Sequence, residues 1–262
     1  MAYTNRRKIP LTIPVCSANF MKQLGTALMC LYFFGQSVIQ HGLLNAPNRT
    51  SQELNGLIES SHGAFLLAGT ASVCMLIGAA AVPIFAFLLA EGIQNTSNAG
   101  RYILNVLVTA LLTEIPYDLA VSGKPFNWSD QSFLWTILIA LIMLWLMQKF
   151  RGKGAAAAVV NIMLIAGGCI WALYLRCKFG AAFVVMTALL FLLWNRRGIG
   201  ALLAGIVSLV YITAPLGFIP IMLYSGERKN TDNKMSKYGY YILCPVIALI
   251  FAVTSALTTA RF

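Results

Sequence analysis

The chain has 262 residues, of which 59% are hydrophobic and 10% charged, and its mean hydropathy is +0.76. A soluble domain carries about 25% charged residues, so this composition excludes an ordinary soluble fold and predicts a polytopic membrane protein. The formal net charge of +11 does not indicate nucleic-acid binding, because the basic residues are scattered through short loops and form no stripe interleaved with aromatics.

The first residues, MAYTNRRKIPLTIPVCSANF, are basic but interrupted by Pro10 and Pro14 and have no small-residue cleavage site. They read as a short surface segment over 1–19 and not as a secretory signal. A spanning helix needs about 20 mostly apolar residues. Candidate spans follow near 20–44, 62–90, 102–122, 132–148, 155–175, 179–195, 199–225 and 238–260. No polar stretch is long enough for a separate core, so residues 1–262 are expected to form one all-α transmembrane bundle. The second span contains Pro83, which predicts a kink or steep tilt. The seventh contains Pro215, Gly217 and Pro220, a spacing that fits a broken helix or a re-entrant pair.

Basic residues set the expected topology. With Arg6, Arg7 and Lys8 inside, the loops carrying Arg101, Lys149, Arg151, Lys153, Arg196 and Arg197 also fall inside. Arg49, Lys124, Arg176 and Lys178 fall outside. Arg228, Lys229, Lys234 and Lys237 join the inside set only if 199–225 enters and returns or crosses twice, so the positive-inside rule favours a hairpin or double crossing there. The expectation is eight or nine crossings with a cytoplasmic N-terminus.

Other local patterns carry little chemistry. Asn48-Arg49-Thr50 matches a glycosylation triplet, but the pattern is short and common by chance. GKGAAAAVV at 152–160 permits close helix packing and lacks the strand and the terminal Lys-Ser/Thr of a phosphate loop. GIGALLAG at 198–205 has no βαβ unit around it to make a dinucleotide site. The six cysteines show no CxxC pair and mostly sit in apolar runs, so neither a disulfide frame nor a zinc site is indicated. Two histidines, His41 and His62, are too few for a His-rich metal centre.

Glu91, Glu114 and Asp118 sit in or at the ends of apolar runs, in a chain with only 8 acidic residues. A carboxylate in hydrocarbon costs roughly 2.5–3.5 kcal/mol, so such residues point to a functional or packed polar site unless a helix end brings water to them. Glu114 and Asp118 are four apart and share a helix face, with Pro116 between them marking a bend or restart and Tyr117 adding a hydroxyl at the same level. Glu91 precedes the polar NTSNAGR, where Arg101 is near enough in sequence to pair with it. It is either half of a structural ion pair or a general base. In LYSGERKN (223–230), Tyr224, Glu227 and Arg228 leave the broken segment, as a cytoplasmic anchor or as a grip on phosphate or carboxylate. His62 begins a helix and reads more as an interface residue than as a catalyst.

The segments FMKQLGTALM (20–29), VPIFAFLLAEG (82–92), RYILNVLVTALLTEIPYDLAVSG (101–123), FLWTILIALIMLWLM (133–147), GFIPIMLYSGERK (217–229) and KYGYYILCPV (237–246), in this order, resemble the TraX family of bacterial membrane proteins. The resemblance implies a multi-pass inner-membrane protein and an acyltransferase, since the family's namesake acetylates the N-terminal amine of conjugative pilin. It implies an acyl-coenzyme A donor, no metal, and a peptide, pilin-like or glycan acceptor. On this reading Glu91, Asp118, Glu114 or His62 handle protons. Arg101 and Arg228 hold donor phosphates, and Tyr117, Tyr224 and Glu227 meet the substrate. The sequence departs from the family pattern where an Asp-His pair is usual, falling on Tyr32-Phe33 or Ser61-His62. It departs again at Ala79 and Ile247, where an Arg and a His are usual. A non-catalytic membrane scaffold and a small-solute transporter stand as the alternatives.

Overall fold

The computed structural model describes residues 16–150, 152, 154–224 and 234–259. Most of the described residues are helical, and none lies in a strand. Their elements are α1 (Ala18–Phe33), continued by a π-helical segment (Phe34–Leu43), α2 (Ser51–Ser60), α3 (His62–Ala79), α4 (Ala81–Asn95), α5 (Ala99–Ser122), α6 (Phe133–Lys149), α7 (Ala155–Tyr174), α8 (Gly180–Leu192), α9 (Arg197–Ser208), α10 (Phe218–Met222) and α11 (Lys234–Thr259). The basic residues expected at the N-terminus, Arg6, Arg7 and Lys8, lie outside the described residues, as do Arg151, Lys153, Arg228 and Lys229.

Side-chain caps set several helix starts. Ser17 accepts from the Phe20 amide at 3.3 Å, and Asn98 accepts from the Arg101 amide at 2.9 Å. At α2 the Thr50 hydroxyl accepts from the Glu53 amide while Glu53 accepts from the Thr50 amide at 2.8 Å, a reciprocal cap. That bond from the Thr50 amide holds the Glu53 carboxyl below its ordinary value, with the Thr50 hydroxyl and Arg49 adding. A lowered folded value means the cap is complete above the ordinary glutamate range and is lost as pH falls through the lowered one. The Thr50 amide resonance is therefore expected to titrate below the range of a free glutamate. A midpoint at or above that range would show the cap is not formed.

The core is organised around α4. Along this helix Val82, Pro83, Ile84, Ala86, Phe87, Leu89, Ala90, Glu91 and Ile93 are all buried, packed among α1, α6, α8 and α10. Its surroundings therefore decide its apolar composition on every side. Pro83 lies in the first turn of α4, just after the α3–α4 interruption at Ala80. A missing amide costs nothing there, because first-turn amides have no partner within the helix. At the periphery, α7 buries only Gly168 and Ala172 and turns Ile162, Met163, Ile170, Trp171 and Leu173 outward. An exposed apolar face of that extent suits hydrocarbon, not water.

Among the described residues, four helices are long and apolar enough to cross a membrane: His62–Asn95, Ala99–Ser122, Ala155–Tyr174 and Gly239–Thr259. A fifth is counted if Gly180–Leu192 and Trp194–Tyr211, bent by 84°, form one broken span. This corrects the expected eight or nine crossings. All eight apolar runs do form helix, but several fall short as spans. The run near 20–44 carries Lys22, Gln23, Gln36, Gln40 and His41. The run near 132–148 is a helix of 17 residues. The run near 199–225 breaks into short pieces.

That last run turns back on itself. After α9 the chain passes through Ile212 at φ +55°, a costly conformation for a β-branched residue. The Thr213 hydroxyl donates to the Leu76 carbonyl of α3, and Gly217 lies against the Ala80 carbonyl and the Pro83 ring. The apex is thus seated on the α3–α4 interruption. The two arms end together: the Arg197 guanidinium is 4.8 Å from the Trp194 ring and 5.9 Å from the Tyr224 ring. The break begins at Leu209, earlier than Pro215. Pro116, by contrast, sits within α5 without ending it.

Candidate functional site

The sequence candidates fall into two groups at opposite ends of the bundle. Gly92, beside Glu91, lies against the Tyr102 ring near the start of α5. From Tyr102 the helix carries Asp118 about 24 Å along its axis, at 1.5 Å per residue. Glu91 therefore shares no pocket with Glu114 and Asp118.

At the first end, Glu91 is buried in the last turns of α4. The Tyr224 hydroxyl donates to Glu91 Oε1, joining α4 to the end of the hairpin. Phe87, one turn earlier on the same face, stacks on Trp194 at 5.6 Å and meets the Tyr224 ring edge-on at 5.2 Å. Arg197 lies over both the Trp194 and Tyr224 rings, an arrangement that holds a guanidinium in place. The Cys16 amide donates to the Leu223 carbonyl at 3.1 Å, fixing the chain next to Tyr224. The Gln148 side chain donates to the Ile93 carbonyl at 3.4 Å, so α6 ends, with Lys149, beside the end of α4 that carries Glu91.

At the second end Asp130 pairs with Lys178, while Glu114 and Asp118 on α5 have partners of their own. Asp130 Oδ2 accepts from Lys178 Nζ at 3.1 Å, Gln36 Nε2 at 3.2 Å and the Tyr117 hydroxyl at 3.3 Å. Glu114 Oε2 accepts from the Trp135 indole at 2.7 Å, and Asp118 Oδ2 from the Asn127 amide at 2.8 Å. The π-helical segment turns Gln36 inward and also buries His41, whose Nδ1 is 2.9 Å from the Ala120 carbonyl and 2.6 Å from Ser255 Oγ. The carbonyl fixes the tautomer, since only a protonated Nδ1 can bond to it. Lys178 is delivered by a tight turn in which Arg176 and Phe179 both have positive φ, at 51° and 60°. The turn is pinned by paired bonds to Gln131 (3.2 and 3.0 Å) and by Thr136, which donates to the Lys178 carbonyl at 2.5 Å. Two strained residues in one turn are held only where surrounding bonds compensate. Burial, with the Glu114 charge adding, pushes the neighbouring Cys177 thiol up to about 12, which removes it as a thiolate nucleophile.

Of the sequence candidates, Glu91 meets Tyr224, while Glu114, Tyr117 and Asp118 lie along one stretch of α5 and bond to Trp135, Asp130 and Asn127 respectively. Arg101 does not pair with Glu91. Asn98 starts α5 so that Arg101 lies in its exposed first turn, while Glu91 faces the core; the ion pair among the described residues is Lys178–Asp130. His62 is exposed at the first position of α3, and the buried histidine is His41. Glu227 and Arg228 lie outside the described residues. Sequence reasoning passed over Asp130, Lys178, Gln36 and Arg197. Gln36 had a signal, being a polar residue inside an apolar run, whereas Asp130 and Lys178 read as ordinary loop charges. No group of three His, Cys, Asp or Glu among the described residues is placed to hold a metal ion. A cleft of about 170 Å³ between Met147, Asn161 and Phe191 is too small for a coenzyme A thioester.

An all-helical arrangement of the described residues, with several helices of membrane-crossing length and buried carboxylates at both ends, defines a polytopic helical class. Within that class the chain belongs to the TraX protein family, whose model matches residues 57–254. No curated protein and no solved structure matches the chain.

Proposed function

We propose that this protein is an integral-membrane acyltransferase of the bacterial inner membrane, moving an acyl group, acetyl in the simplest case, from coenzyme A to a peptide amine or glycan hydroxyl. The observation that carries the reading is the buried Glu91 carboxylate, hydrogen-bonded to Tyr224 beside Arg197 at the basic end of the bundle. Applied to this topology, the positive-inside rule turns that end and the N-terminus toward the cytoplasm, where acyl-coenzyme A is found. Glu91 takes the proton of the attacking N–H or O–H. The acceptor attacks the thioester carbonyl, the C–S bond breaks, and the departing thiolate takes up the proton. Arg197, with Arg101 at the rim, attracts the donor's phosphates. Arg228, expected in the same role, belongs to a stretch adjoining this end in sequence.

The test is transfer or hydrolysis of labelled acetyl-coenzyme A by the purified full chain, offered peptide-amine and glycan acceptors. Label appearing on an acceptor supports the proposal. No transfer and no hydrolysis would leave the non-catalytic scaffold as the better reading, and solute flux in reconstituted vesicles would favour the transporter.

A further inference from the structure

We propose that the connection between α5 and α6 is a built lipid anchor. Phe126 and Trp128 lie in the phospholipid headgroup interface of the bilayer, at the level of Trp171 and Tyr174 in the last turn of α7. The anchor sits at the end of the bundle away from Glu91 and does not depend on the acyl-transfer reading.

Three observations carry it. First, the loop is held firmly while its aromatic side chains are left outside. Phe126 and Trp128 are 69% and 79% exposed. Asn127, between them, is tied through its backbone and its side chain. Its amide donates to Asp118 Oδ2 at 2.8 Å, its carbonyl accepts from Gln131 Nε2 at 2.9 Å, and its Oδ1 accepts from the Ser129 amide at 3.1 Å. Two large aromatic side chains held out in water forgo the free energy of burial, which a bilayer interface restores.

Second, α7 sets the level. Its 20 residues make a helix about 30 Å long, which matches the hydrocarbon thickness of a bilayer. It buries only Gly168 and Ala172, so it meets lipid along its length and its last turn lies at a membrane boundary. Trp171 and Tyr174 in that turn meet edge-on at 6.0 Å, and Tyr174 is 77% exposed. The α5–α6 connection is fastened to the chain just beyond: the Gln131 amide donates to the Arg176 carbonyl at 3.2 Å, and the Lys178 amide to the Gln131 carbonyl at 3.0 Å. Gln131 also grips the Asn127 carbonyl, which keeps Phe126 and Trp128 near the same level.

Third, the charges here fit phospholipid. Lys124 and Arg176 are exposed, and neither forms an ion pair with a carboxylate among the described residues. Indole and phenol rings beside basic side chains match a layer that is apolar on one edge and carries phosphate on the other. On the α7 side these rings run on into the helix's outward apolar face, so their neighbour is the lipid that covers that face and not a soluble partner.

The test is depth-resolved fluorescence quenching of the full chain in phosphatidylcholine vesicles that carry a nitroxide either on the headgroup or near the chain end, with iodide as the quencher in water. The emission of Trp128 is the difference between wild type and Trp128→Phe. Its loss is expected to be largest with the headgroup nitroxide and smaller with either of the others. The Trp171→Phe difference is expected to be quenched most by the same probe. Phe126→Trp adds an emitter, and the added emission should also be lost mainly to the headgroup probe, so the result does not rest on one variant. Greatest loss to iodide would put the loop in water, and greatest loss to the chain-end probe would put it in hydrocarbon. Little loss to any quencher would mean that a second copy of the chain covers it. Each of these three outcomes would overturn the proposal.

Discussion

Glu91→Gln is expected to lower acyl transfer by about 10²–10⁴-fold, the range a positioned general base contributes. The substitution keeps the shape of the side chain, and its amide oxygen still accepts from the Tyr224 hydroxyl. The turn of α4 and the seat of the hairpin therefore stay as they are. What is lost is the capacity to take a proton. Folding should be preserved, shown by an unchanged thermal midpoint and gel-filtration profile, so the loss is read in the rate. Asp118→Asn is the matched control. It removes a carboxylate of the same buried kind about 24 Å away along α5, and it should change the rate by less than about twofold, the scale of a substitution remote from the chemistry. The reverse pattern, with Asp118→Asn inactive and Glu91→Gln active, would move the reacting centre to the acidic end. Retained transfer in both variants would remove carboxylate base catalysis altogether.

The two ends were unequally legible in the sequence. All eight apolar runs become helix because hydropathy fixes which residues avoid water, and that property is local. Ser17, Thr50, Ser61 and Asn98 cap helix starts in the structure through bonds that reach only three residues, although the sequence reading did not single them out. Crossing number was not legible, because it depends on where a long apolar run breaks. The break at Leu209–Gly217 is stabilised by Leu76 and Ala80, which lie far away in the chain. The Pro-Gly-Pro spacing showed that this run bends, but not what its apex rests on. In the same way, Glu114 and Asp118 were visible as an i, i+4 pair, whereas their surroundings come from Gln36 on the π-helical segment, Asp130 in the α5–α6 connection and Lys178 in the α7–α8 turn. A carboxylate in a polar loop looks the same in sequence whether it faces water or the mouth of a buried cluster.

Gly217→Ala is expected to destabilise the protein by about 1–3 kcal/mol or more, the cost of forcing a methyl group into a packed interior, and to lower activity as well. A Cβ on Gly217 would run into the Ala80 carbonyl and come within 2.6 Å of Pro83 Cγ. Neither neighbour is the free end of a flexible side chain. One is backbone at the α3–α4 interruption, the other a ring fixed in the first turn of the most buried helix. Relief therefore requires the apex to lift off α3 and α4, which strains the Thr213 bond to Leu76. The lift is carried along α10, only five residues long, to Tyr224 and so to its bond with Glu91. Stability and catalysis should then fall together, the first read as a drop of several degrees in thermal midpoint. Gly198→Ala provides the contrast within the same hairpin. A Cβ there meets nothing within 4 Å, and alanine in a helix is favoured over glycine by roughly 0.5–1 kcal/mol, so this variant should melt at or above the wild-type temperature with activity intact. If Gly217→Ala behaves as Gly198→Ala does, the apex is not seated on the α3–α4 interruption, and Tyr224 must be held beside Glu91 by something other than the hairpin.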